Sequence, residues 1–452
     1  MKVLVYGLGR SGTAAATLLR RQGHTVLAYD AALRDSESRL LDSLGITRTD
    51  TPQDADVDLC VAAPGVPYDH PDLAALRGRG TETIGEVEWV SRSVAADILG
   101  VTGTAGKTTV SHWLYETLRG AGRDTRLGGN VDPALSAVAE PGAALVTELS
   151  SFQLERCPTL RPKVAVVLNL GRDHIDRHGS VAAYHAAKRN IIANLGAGDT
   201  FVYNRDDPAL RDWAAALTGS EVKTFGFSLE EQADAYALGD DPVLTLRSEP
   251  LVRASDLQMT GRPARANALA VALAAHAYGV DVAAIRAALV AFQGVEGRYA
   301  LVREVGGVRF IDDSIATRML AVAAALESTP APVVWIAGGE DKGAEFAPLA
   351  ELIRERVTLF VGIGRAGPAF ARQVAGWTDT YVCDEEDGEA ALARACRVGL
   401  EHLRQHHPHE AGSVLLAPLA ASFDQFRDYR ERATLFRQVA ARLAEEASWI
   451  RS

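Results

Sequence analysis

Cysteine, excess positive charge and long apolar runs are all scarce in this 452-residue sequence. Its four cysteines lie far apart and form no CxxC pair, so their spacing indicates neither a zinc site nor a redox dithiol. We expect reduced thiols in a cytoplasmic protein. No stretch reaches the ~18 consecutive apolar residues of a membrane helix, and the amino terminus enters an apolar strand without a leader pattern. These absences predict neither a membrane span nor a cleaved leader.

The overall charge of the chain is negative. A formal net charge of −11 and a pI near 5.5 argue against nucleic acid or a membrane surface as the partner. They do not exclude a local basic pocket for a small anion. With 47% hydrophobic and 23% charged residues, the composition is typical of a soluble globular protein.

Length and strand spacing together predict three domains. A chain of 452 residues is too long for one core at ~100 to 200 residues a domain. Short apolar strands alternate with helical stretches throughout, which favours an α/β fold with mostly parallel sheets. We predict a Rossmann-like domain at 1–93, a P-loop ATPase-like domain at 94–293 and a second Rossmann-like domain at 294–452.

A glycine-rich stretch, GVTGTAGKTTV at residues 100–110, lies between a predicted strand and a predicted helix. Glycines let backbone N–H groups approach phosphate oxygens, and the helix adds the positive end of its dipole. The stretch therefore predicts a polyphosphate site built from Gly103, Thr104, Gly106, Lys107, Thr108 and Thr109. The alternative is an ordinary strand-to-helix turn with a solvated lysine.

The amino-terminal stretch YGLGRSG forms a second glycine turn after an apolar strand. Gly7, Gly9 and Gly12 have GxGxxG spacing, and Asp30 ends the next predicted strand about 20 residues later. This pattern is typical of dinucleotide-binding folds. It fits either a nicotinamide-dependent dehydrogenase or a site for a UDP-sugar.

Polar residues recur where strands of the central domain end. Glu148 ends the strand in LVTELSSFQLE, and Asp173, His174 and Asp176 follow the next strand in NLGRDHIDRHGS. Ligands of α/β folds gather at such ends, and these side chains suit Mg²⁺ that keeps part of its water shell. Any one of them alone is as well explained by a structural role.

Several motifs taken together resemble one known family. The stretches GTAGKTT, ELSSFQLE, NLGRDHIDRH, AAKRNI, DDSIAT and SFDQF are similar, in order and spacing, to those of the Mur ligases. Within them the match is to the D-glutamate-adding family and runs the length of the chain. The resemblance implies ATP-dependent joining of D-glutamate to UDP-N-acetylmuramoyl-L-alanine through an acyl phosphate, in peptidoglycan precursor synthesis. It also implies a monomer in the cytoplasm.

The resemblance also implies how the catalytic groups bind ATP and Mg²⁺. Lys107 would contact the outer phosphates, and Thr108 with Glu148 would hold one Mg²⁺. His174 matches the ligand of a second Mg²⁺. Lys188 of YHAAKRNI matches a lysine that the family carbamylates with CO₂, which turns a cation into an anion able to support that ion. The alternative for Lys188 is a solvated helix lysine.

Other positions match the family's substrate contacts. The turn from Gly7 to Gly12 would receive the UDP group, so a dehydrogenase becomes the weaker interpretation. The remaining contacts implied are Asp30 at the uracil, Asn130 at the muramoyl substrate, Asn267 at the ATP base, Arg298 and Asp313 at the phosphates and ribose, and Ser422 and Tyr429 at the amino acid. We expect the third domain to close over the ATP and exclude water from the acyl phosphate.

The sequence departs from the family's usual text at several positions. Ala105 replaces an asparagine near the γ-phosphate, Ala63 replaces a serine of the first domain, and Pro263 with Ala264 replaces a His-Asn pair near the adenine site. In DDSIATRM, Ile315 takes the place of a lysine that contacts the acidic amino acid.

We expect a nearby arginine to compensate for Ile315. Ser314 is predicted to cap a helix that starts at residue 315, which would put Arg318 on the same face, three residues on. Arg318 would then bind a carboxylate of D-glutamate. The alternative is that Ile315 packs in the core and Arg318 is solvated.

Three functions remain open at this point. The first is an active D-glutamate-adding ligase. The second is a related ligase with a shifted amino-acid preference, because of Ile315. The third is a non-catalytic UDP-sugar-binding homologue, which the retained catalytic groups argue against.

Overall fold

Three β-sheets organise the chain in the computed structural model, which describes residues 1–259, 261–295, 297–341, 343–344 and 346–449. The predicted α/β class is confirmed. The chain divides into two compact units, one of Met1–Val252 with Ala266–Leu289 and one of Arg253–Arg265 with Val290–Ser452. The first unit contains two sheets and the second contains one. The domain boundaries given above stay predictions.

The first sheet is parallel throughout, with strand order β3-β2-β1-β4-β5. Its strands are β1 Lys2–Tyr6, β2 Thr25–Tyr29, β3 Thr47–Arg48, β4 Leu59–Ala62 and β5 Glu82–Ile84. Its helices are α1 Arg10–Arg21, α2 Asp35–Ser43, α3 Pro71–Gly78 and α4 Glu86–Ser93. The order reverses between β1 and β4, so the loops after these two strands border the crevice where such sheets bind ligands.

The second sheet has nine strands in the order β14-β13-β12-β11-β10-β9-β6-β8-β7. They are β6 Asp97–Thr102, β7 Thr125–Gly129, β8 Ala144–Glu148, β9 Val164–Val167, β10 Thr200–Asn204, β11 Lys223–Ser228, β12 Ala235–Tyr236, β13 Val243–Leu246 and β14 Glu249–Arg253. The strands from β7 to β12 pair in parallel, and β13 pairs with β12 in antiparallel orientation. Strand β6 lies between β8 and β9, so the carboxyl ends of all three meet at one edge.

Helices and short turns connect these nine strands and continue beyond them. They are α5 Lys107–Gly120, α6 Leu135–Val138, α7 Ser151–Leu154, α8 Ile175–His178, α9 Val181–Arg189, α10 Pro208–Ala215, α11 Gly261–Ala277 and α12 Val282–Ala291. Val164, Ala165, Val166 and Val167 of β9 are all buried, as expected for a parallel strand covered on both faces.

The third sheet has the order β15-β16-β20-β17-β18-β19. Its strands are β15 Ala300–Val305, β16 Val308–Asp312, β17 Val333–Gly338, β18 Val357–Ile363, β19 Asp379–Val382 and β20 Ser413–Leu416, and only β15 is antiparallel to its neighbour. Its helices are α13 Met319–Ser328, α14 Ala350–Arg356, α15 Gly367–Val374, α16 Gly388–His406 and α17 Tyr429–Trp449. The stretch LVREVGGVRFIDDS forms the antiparallel pair of β15 and β16.

Backbone contact at the first glycine turn leaves no room for side chains. A Cβ on Gly12 would lie 1.8 Å from the carbonyl oxygen of Gly7, and a Cβ on Gly7 would lie 2.9 Å from the Cβ atom of Ala63. By contrast, nothing lies within 4 Å of a Cβ on Gly9. The spacing of glycines here is therefore set by packing of α1 against the end of β1.

We predict that Gly12→Ala destabilises the first sheet, because its methyl group can be placed only by moving backbone. Forced overpacking of this kind costs about 1 to 3 kcal/mol. Thermal unfolding of the variant should begin at a lower temperature than that of the wild type. Gly9→Ala is the matched control and should unfold with the wild type; equal midpoints for both variants would contradict the packing argument.

Candidate active site

The glycine-rich loop connects β6 to α5 at the carboxyl edge of the second sheet. Gly106 is the residue before the helix and has a positive φ of 82°, and Gly103 has a φ of 155°. A Cβ on Gly106 would lie 2.7 Å from Oδ1 of Asn267. The loop therefore requires glycine at position 106 for both conformation and space. The same contact places Asn267 beside the loop.

Two lysines converge on one carbonyl of this loop. The Nζ atoms of Lys107 and Lys188 each donate to the carbonyl oxygen of Gly103 at 2.9 Å. Lys107 also donates to the carbonyl of Thr104 at 3.0 Å, and Lys188 to Oγ1 of Thr102 at 3.4 Å. Two ammonium groups so close to each other form an electropositive centre that favours an anion.

Lys188 is buried, with 1% of the residue exposed, and lies over the ring of Tyr184 at 4.8 Å. The alternative of a solvated helix lysine is therefore wrong. Burial, followed by the nearby charge of Lys107, lowers the pKa of Lys188 to about 7. A large share of this amine is then neutral at neutral pH, and the neutral form is the nucleophilic one.

Glu148 ends β8 and is 2% exposed. One carboxylate oxygen accepts from the hydroxyl of Thr108 at 2.6 Å, and the other accepts from Nδ2 of Asn130 at 2.6 Å. The predicted pair of Thr108 and Glu148 is thus assembled. Asn130 lies in the same hydrogen-bonded group although it follows a different strand, β7.

Asn169, the first residue of the NLGRDHIDRH stretch, was assigned no role from the sequence. Its Oδ1 accepts from the backbone N–H groups of Thr104 and Ala105 at 3.0 and 2.8 Å, and its Nδ2 donates to the carbonyl of Ala105 at 3.2 Å. The side chain therefore holds the tip of the glycine loop from the end of β9. Its place in that motif, two positions after a buried strand, was the available signal.

His174 has a positive φ of 53° and lies just before α8. Its Nε2 lies 3.4 Å from a carboxylate oxygen of Asp173, and its ring centroid is 4.6 Å from that of Phe152. In the part of the chain that the structure describes, no group of three or more His, Cys, Asp or Glu side chains is placed to hold a metal ion. The predicted second Mg²⁺ site needs only His174 of these types, together with a modified Lys188, so that site stays a prediction.

Asp30 closes the glycine turn of the first sheet. Its carboxylate accepts from the backbone N–H of Leu8 at 2.5 Å and from that of Ala32 at 2.8 Å. The acid about 20 residues after the turn therefore holds the turn itself, and contact with a uracil stays a prediction. Gly9, at the amino end of α1, leaves open space where its side chain would be.

In the second unit, the DDSIATR stretch follows β16. The carboxylate of Asp313 accepts from the backbone N–H of Tyr299 at 3.1 Å, and Tyr299 directly follows Arg298 in the chain. Burial, followed by the neighbouring carboxylate of Asp312, raises the pKa of Asp313 to about 8. The roles of Arg298 and Asp313 toward ATP stay predictions.

The predicted helix cap at Ser314 is wrong. The Ser314 hydroxyl donates to the carboxylate of Asp312 at 2.5 Å, and its carbonyl accepts from the Arg432 guanidinium at 2.8 Å. Because these contacts hold the segment as a loop, α13 begins only at Met319 with Arg318 as the preceding residue. Ile315 is therefore outside the helix, and the two residues do not lie along one helical face.

The predicted amino-acid contacts lie in two further segments of the second unit. Ser422 follows β20 and is 3% exposed, and its carbonyl accepts from the N–H of Phe426 at 2.9 Å. Tyr429 is the first residue of α17. Arg318 is exposed, and Ile315 is half-buried. Contact of these residues with D-glutamate stays a prediction.

Residues 101–275 match the Mur ligase middle domain family. The matched range includes the glycine loop and the segments that contain Glu148 and His174. A UDP-N-acetylmuramoylalanine–D-glutamate ligase from Thermus thermophilus is 45% identical over 98% of both chains. One from Deinococcus radiodurans is 42% identical over 98% of this chain and 92% of its own. This chain belongs to the family of UDP-N-acetylmuramoylalanine–D-glutamate ligases.

Solved structures confirm the fold of this ligase family for the chain. MurF from Acinetobacter baumannii aligns with a TM-score of 0.60 at 18% identity, covering 98% of this chain and 93% of that one. The UDP-N-acetylmuramate-alanine ligase MurC from Thermotoga maritima aligns with a TM-score of 0.58 at 18% identity, covering 98% and 99%. Among the described residues of this family member, no helix combines the length and apolarity that crossing a membrane requires.

We predict that Asp313 makes stability depend on pH. Its pKa is about 8 in the folded chain against an ordinary 3.8, so between about pH 4 and 8 the folded state keeps a proton that the unfolded state has lost. The contribution of Asp313 to the free energy of unfolding is therefore greatest below pH 4 and is lost as the pH rises toward 8. Asp313→Asn keeps the acceptor for Tyr299 without the charge.

Thermal unfolding of wild type and Asp313→Asn, measured at several pH values, checks this. The unfolding midpoint of Asp313→Asn should rise relative to that of the wild type as the pH rises from 4 to 8. A difference between the two midpoints that does not change with pH would contradict the raised pKa.

Proposed function

We propose that the chain joins D-glutamate to UDP-N-acetylmuramoyl-L-alanine with cleavage of ATP to ADP and phosphate, as a cytoplasmic, monomeric enzyme of peptidoglycan precursor synthesis. The observation that carries this is the convergence of Lys107, Lys188 and the Thr108–Glu148 pair on one glycine loop. A non-catalytic UDP-sugar-binding protein would not need that arrangement. Cell shape and division depend on such a synthesis.

The Thr108–Glu148 pair fits Mg²⁺. A hydroxyl and a carboxylate only 2.6 Å apart supply the hard oxygen ligands that Mg²⁺ takes, and the ion usually keeps several waters beside one or two carboxylates. When bound with ATP, Mg²⁺ neutralises charge on the phosphates. Asn130, which donates to the other oxygen of Glu148, would hold the carboxylate in position.

Lys107 and the glycine loop would orient the triphosphate. The γ-phosphoryl group passes to the carboxylate of the muramoyl substrate, forming a P–O bond as the bond to ADP breaks. The amine of D-glutamate then attacks the acyl carbon, and inorganic phosphate leaves. Lys107 provides a fixed cation for the charge that develops on the phosphoryl oxygens.

Carbamylation of Lys188 would complete a site for a second Mg²⁺ with His174. The neutral Lys188 nitrogen attacks the carbon of CO₂, an N–C bond forms, one C=O π bond opens onto oxygen, and a proton leaves the nitrogen for solvent. The lowered pKa supports this step, since it keeps much of the amine neutral at neutral pH. The carbamate would also replace a buried like charge beside Lys107 with an opposite one.

The remaining contacts belong to the same proposal. Asn267 lies beside the glycine loop, where it would meet the base of ATP, and Asp30 and the turn from Gly7 to Gly12 would receive the UDP group. Arg298 and Asp313 would contact ATP from their loops in the second unit.

Phosphate release with several amino acids, each with and without UDP-N-acetylmuramoyl-L-alanine, tests the proposed function. We expect release only with D-glutamate and the muramoyl substrate together, and a loss of about 10²-fold or more in Lys107→Ala. Preference for another amino acid would favour the alternative that Ile315 suggests, a related ligase with a shifted amino-acid preference. Near-normal turnover in Lys107→Ala would contradict the role of the loop.

Carbamylation is checked separately. Lys188→Ala should be nearly inactive, and short-chain carboxylates should restore part of its activity by supplying the missing anion. With ¹³C-labelled CO₂, the wild type should show a carbamate signal that Lys188→Ala lacks. Unmodified lysine in fully active enzyme would count against this step.

Arg318→Ala should raise the KM for D-glutamate, because the exposed guanidinium would bind a carboxylate in place of the lysine that Ile315 replaces. A charge-assisted hydrogen bond of ~1.5 to 3 kcal/mol corresponds to roughly a tenfold to hundredfold increase. The KM for ATP should barely change. Arg303→Ala, which removes another exposed arginine of the second unit, is the control; an unchanged KM in Arg318→Ala would reject the compensation.

A further inference from the structure

The imidazole of His178 connects two short helices of the first unit, α7 and α8. Its Nε2 lies 2.9 Å from the hydroxyl oxygen of Ser151, and its Nδ1 lies 3.0 Å from a carboxylate oxygen of Glu155. Only 2% of the His178 side chain is exposed. Both ring nitrogens are therefore used within the protein.

The chemistry of the partners determines the tautomer. A carboxylate only accepts, so Nδ1 carries the proton and donates it to Glu155. Nε2 then accepts from the hydroxyl of Ser151. Burial is the main factor that lowers the pKa of His178, which favours this neutral form.

Glu155 extends the network toward the first sheet. Its second carboxylate oxygen lies 3.7 Å from Nη2 of Arg177. Arg177 in turn donates to the carbonyls of Val66 at 2.8 Å and Gly65 at 3.3 Å. Arg156, which is 1% exposed, donates to the carbonyls of Val66 and of Pro67 at 2.8 and 2.9 Å.

Residues 63–67 form the turn after β4 that these two guanidinium groups hold. The Cβ atom of Ala63, the first residue of this turn, would lie only 2.9 Å from a Cβ on Gly7. Residues 63–67 therefore pack directly against the first glycine turn. A shift of the turn would therefore shift the backbone that precedes Gly9 and Gly12.

Ser151 extends the same network toward the phosphate loop. It is the first residue of α7 and lies three residues after Glu148. The ring of Phe152 stacks on that of His178 at 5.4 Å between centroids and contacts that of His174 at 4.6 Å. The imidazole of His178 thus contacts residues next to the phosphate loop and, through Glu155, residues that hold the first glycine turn.

A serine, a histidine and a glutamate in this order also occur in acyl-transfer triads. That role requires the hydroxyl to reach a substrate carbonyl. Ser151 is 2% exposed, so its hydroxyl is enclosed by protein. The arrangement is therefore suited to holding backbone segments rather than to nucleophilic attack.

We propose that His178 and Glu155 are positioning residues with separable effects. Through Glu155 and Arg177, His178 holds the turn at 63–67 and with it the UDP-binding glycine turn. Through Ser151, it holds the segment that carries Glu148 and the ring beside His174. The inference rests on the proposed ligase function.

Two substitutions of the same residue separate these effects. In His178→Asn the side-chain amide can replace Nδ1 and keep Glu155, while the contact with Ser151 is lost. In His178→Gln the amide can replace Nε2 and keep Ser151, while the contact with Glu155 is lost. Steady-state kinetics and calorimetric binding of UDP-N-acetylmuramoyl-L-alanine without ATP are measured for both.

We expect opposite patterns. His178→Gln should raise the KM and the Kd for the UDP substrate by roughly five- to tenfold, about the net effect of losing one ordinary hydrogen bond, with kcat changed less. His178→Asn should lower kcat by a similar factor with little change in that Kd. Ser151→Ala should reproduce the Asn pattern, and combining the two should add little.

Arg161→Gln is the matched control. Arg161 pairs with the buried Asp199 at 2.5 Å, just before β10, and so at the amino edge of the sheet away from the loops of the site. It should leave kcat and KM unchanged. Equal losses of kcat in both His178 variants without a change in Kd, or wild-type kinetics in both, would overturn the inference. An inactive wild type would instead overturn the proposed ligase function.

Discussion

The burial of Lys188 beside a second lysine, Lys107, is the main constraint on the site around the glycine loop. Lys107 and Lys188 both donate to the Gly103 carbonyl oxygen at 2.9 Å, and Lys188 does so where 1% of the residue is exposed. Like charges in a buried site are unfavourable unless an anion joins them or one group loses its proton. Burial, followed by the charge of Lys107, lowers the pKa of Lys188, which is the second response. The proposed binding of ATP and CO₂ would supply the first.

Parallel strand order brings the other polar groups to that centre. Glu148, Asn130 and Asn169 follow three different strands, yet the carboxyl ends of those strands meet at one edge of the second sheet. Strands β8 and β9 are buried along their whole length, so their ends are where polar side chains can be accommodated. The site is thus a consequence of the layered fold as much as of any single motif.

Glycine allows the site loops to pack against neighbouring groups at van der Waals distance. Gly106 leaves space for the amide of Asn267, and Gly7 leaves space for Ala63, the first residue of the turn held by Arg156 and Arg177. Rigid support of this kind keeps a substrate-binding backbone in position before the substrate arrives, which avoids an entropic cost on binding. The hydrogen-bonded residues around His178 provide such support for the turn at residues 63–67.

Local pattern was enough to predict the α/β class and the strand-to-helix turns at both glycine stretches, because apolar periodicity and turn chemistry act over a few residues. The motif order also determined the family. Tertiary structure alone decided what each side chain contacts. Ser314 fails to cap a helix because Arg432, 118 residues away, takes its carbonyl, and Asn169 holds a loop 64 residues away. Burial likewise shifted the pKa of Lys188 and Asp313, since desolvation depends on neighbours that only the folded chain brings together.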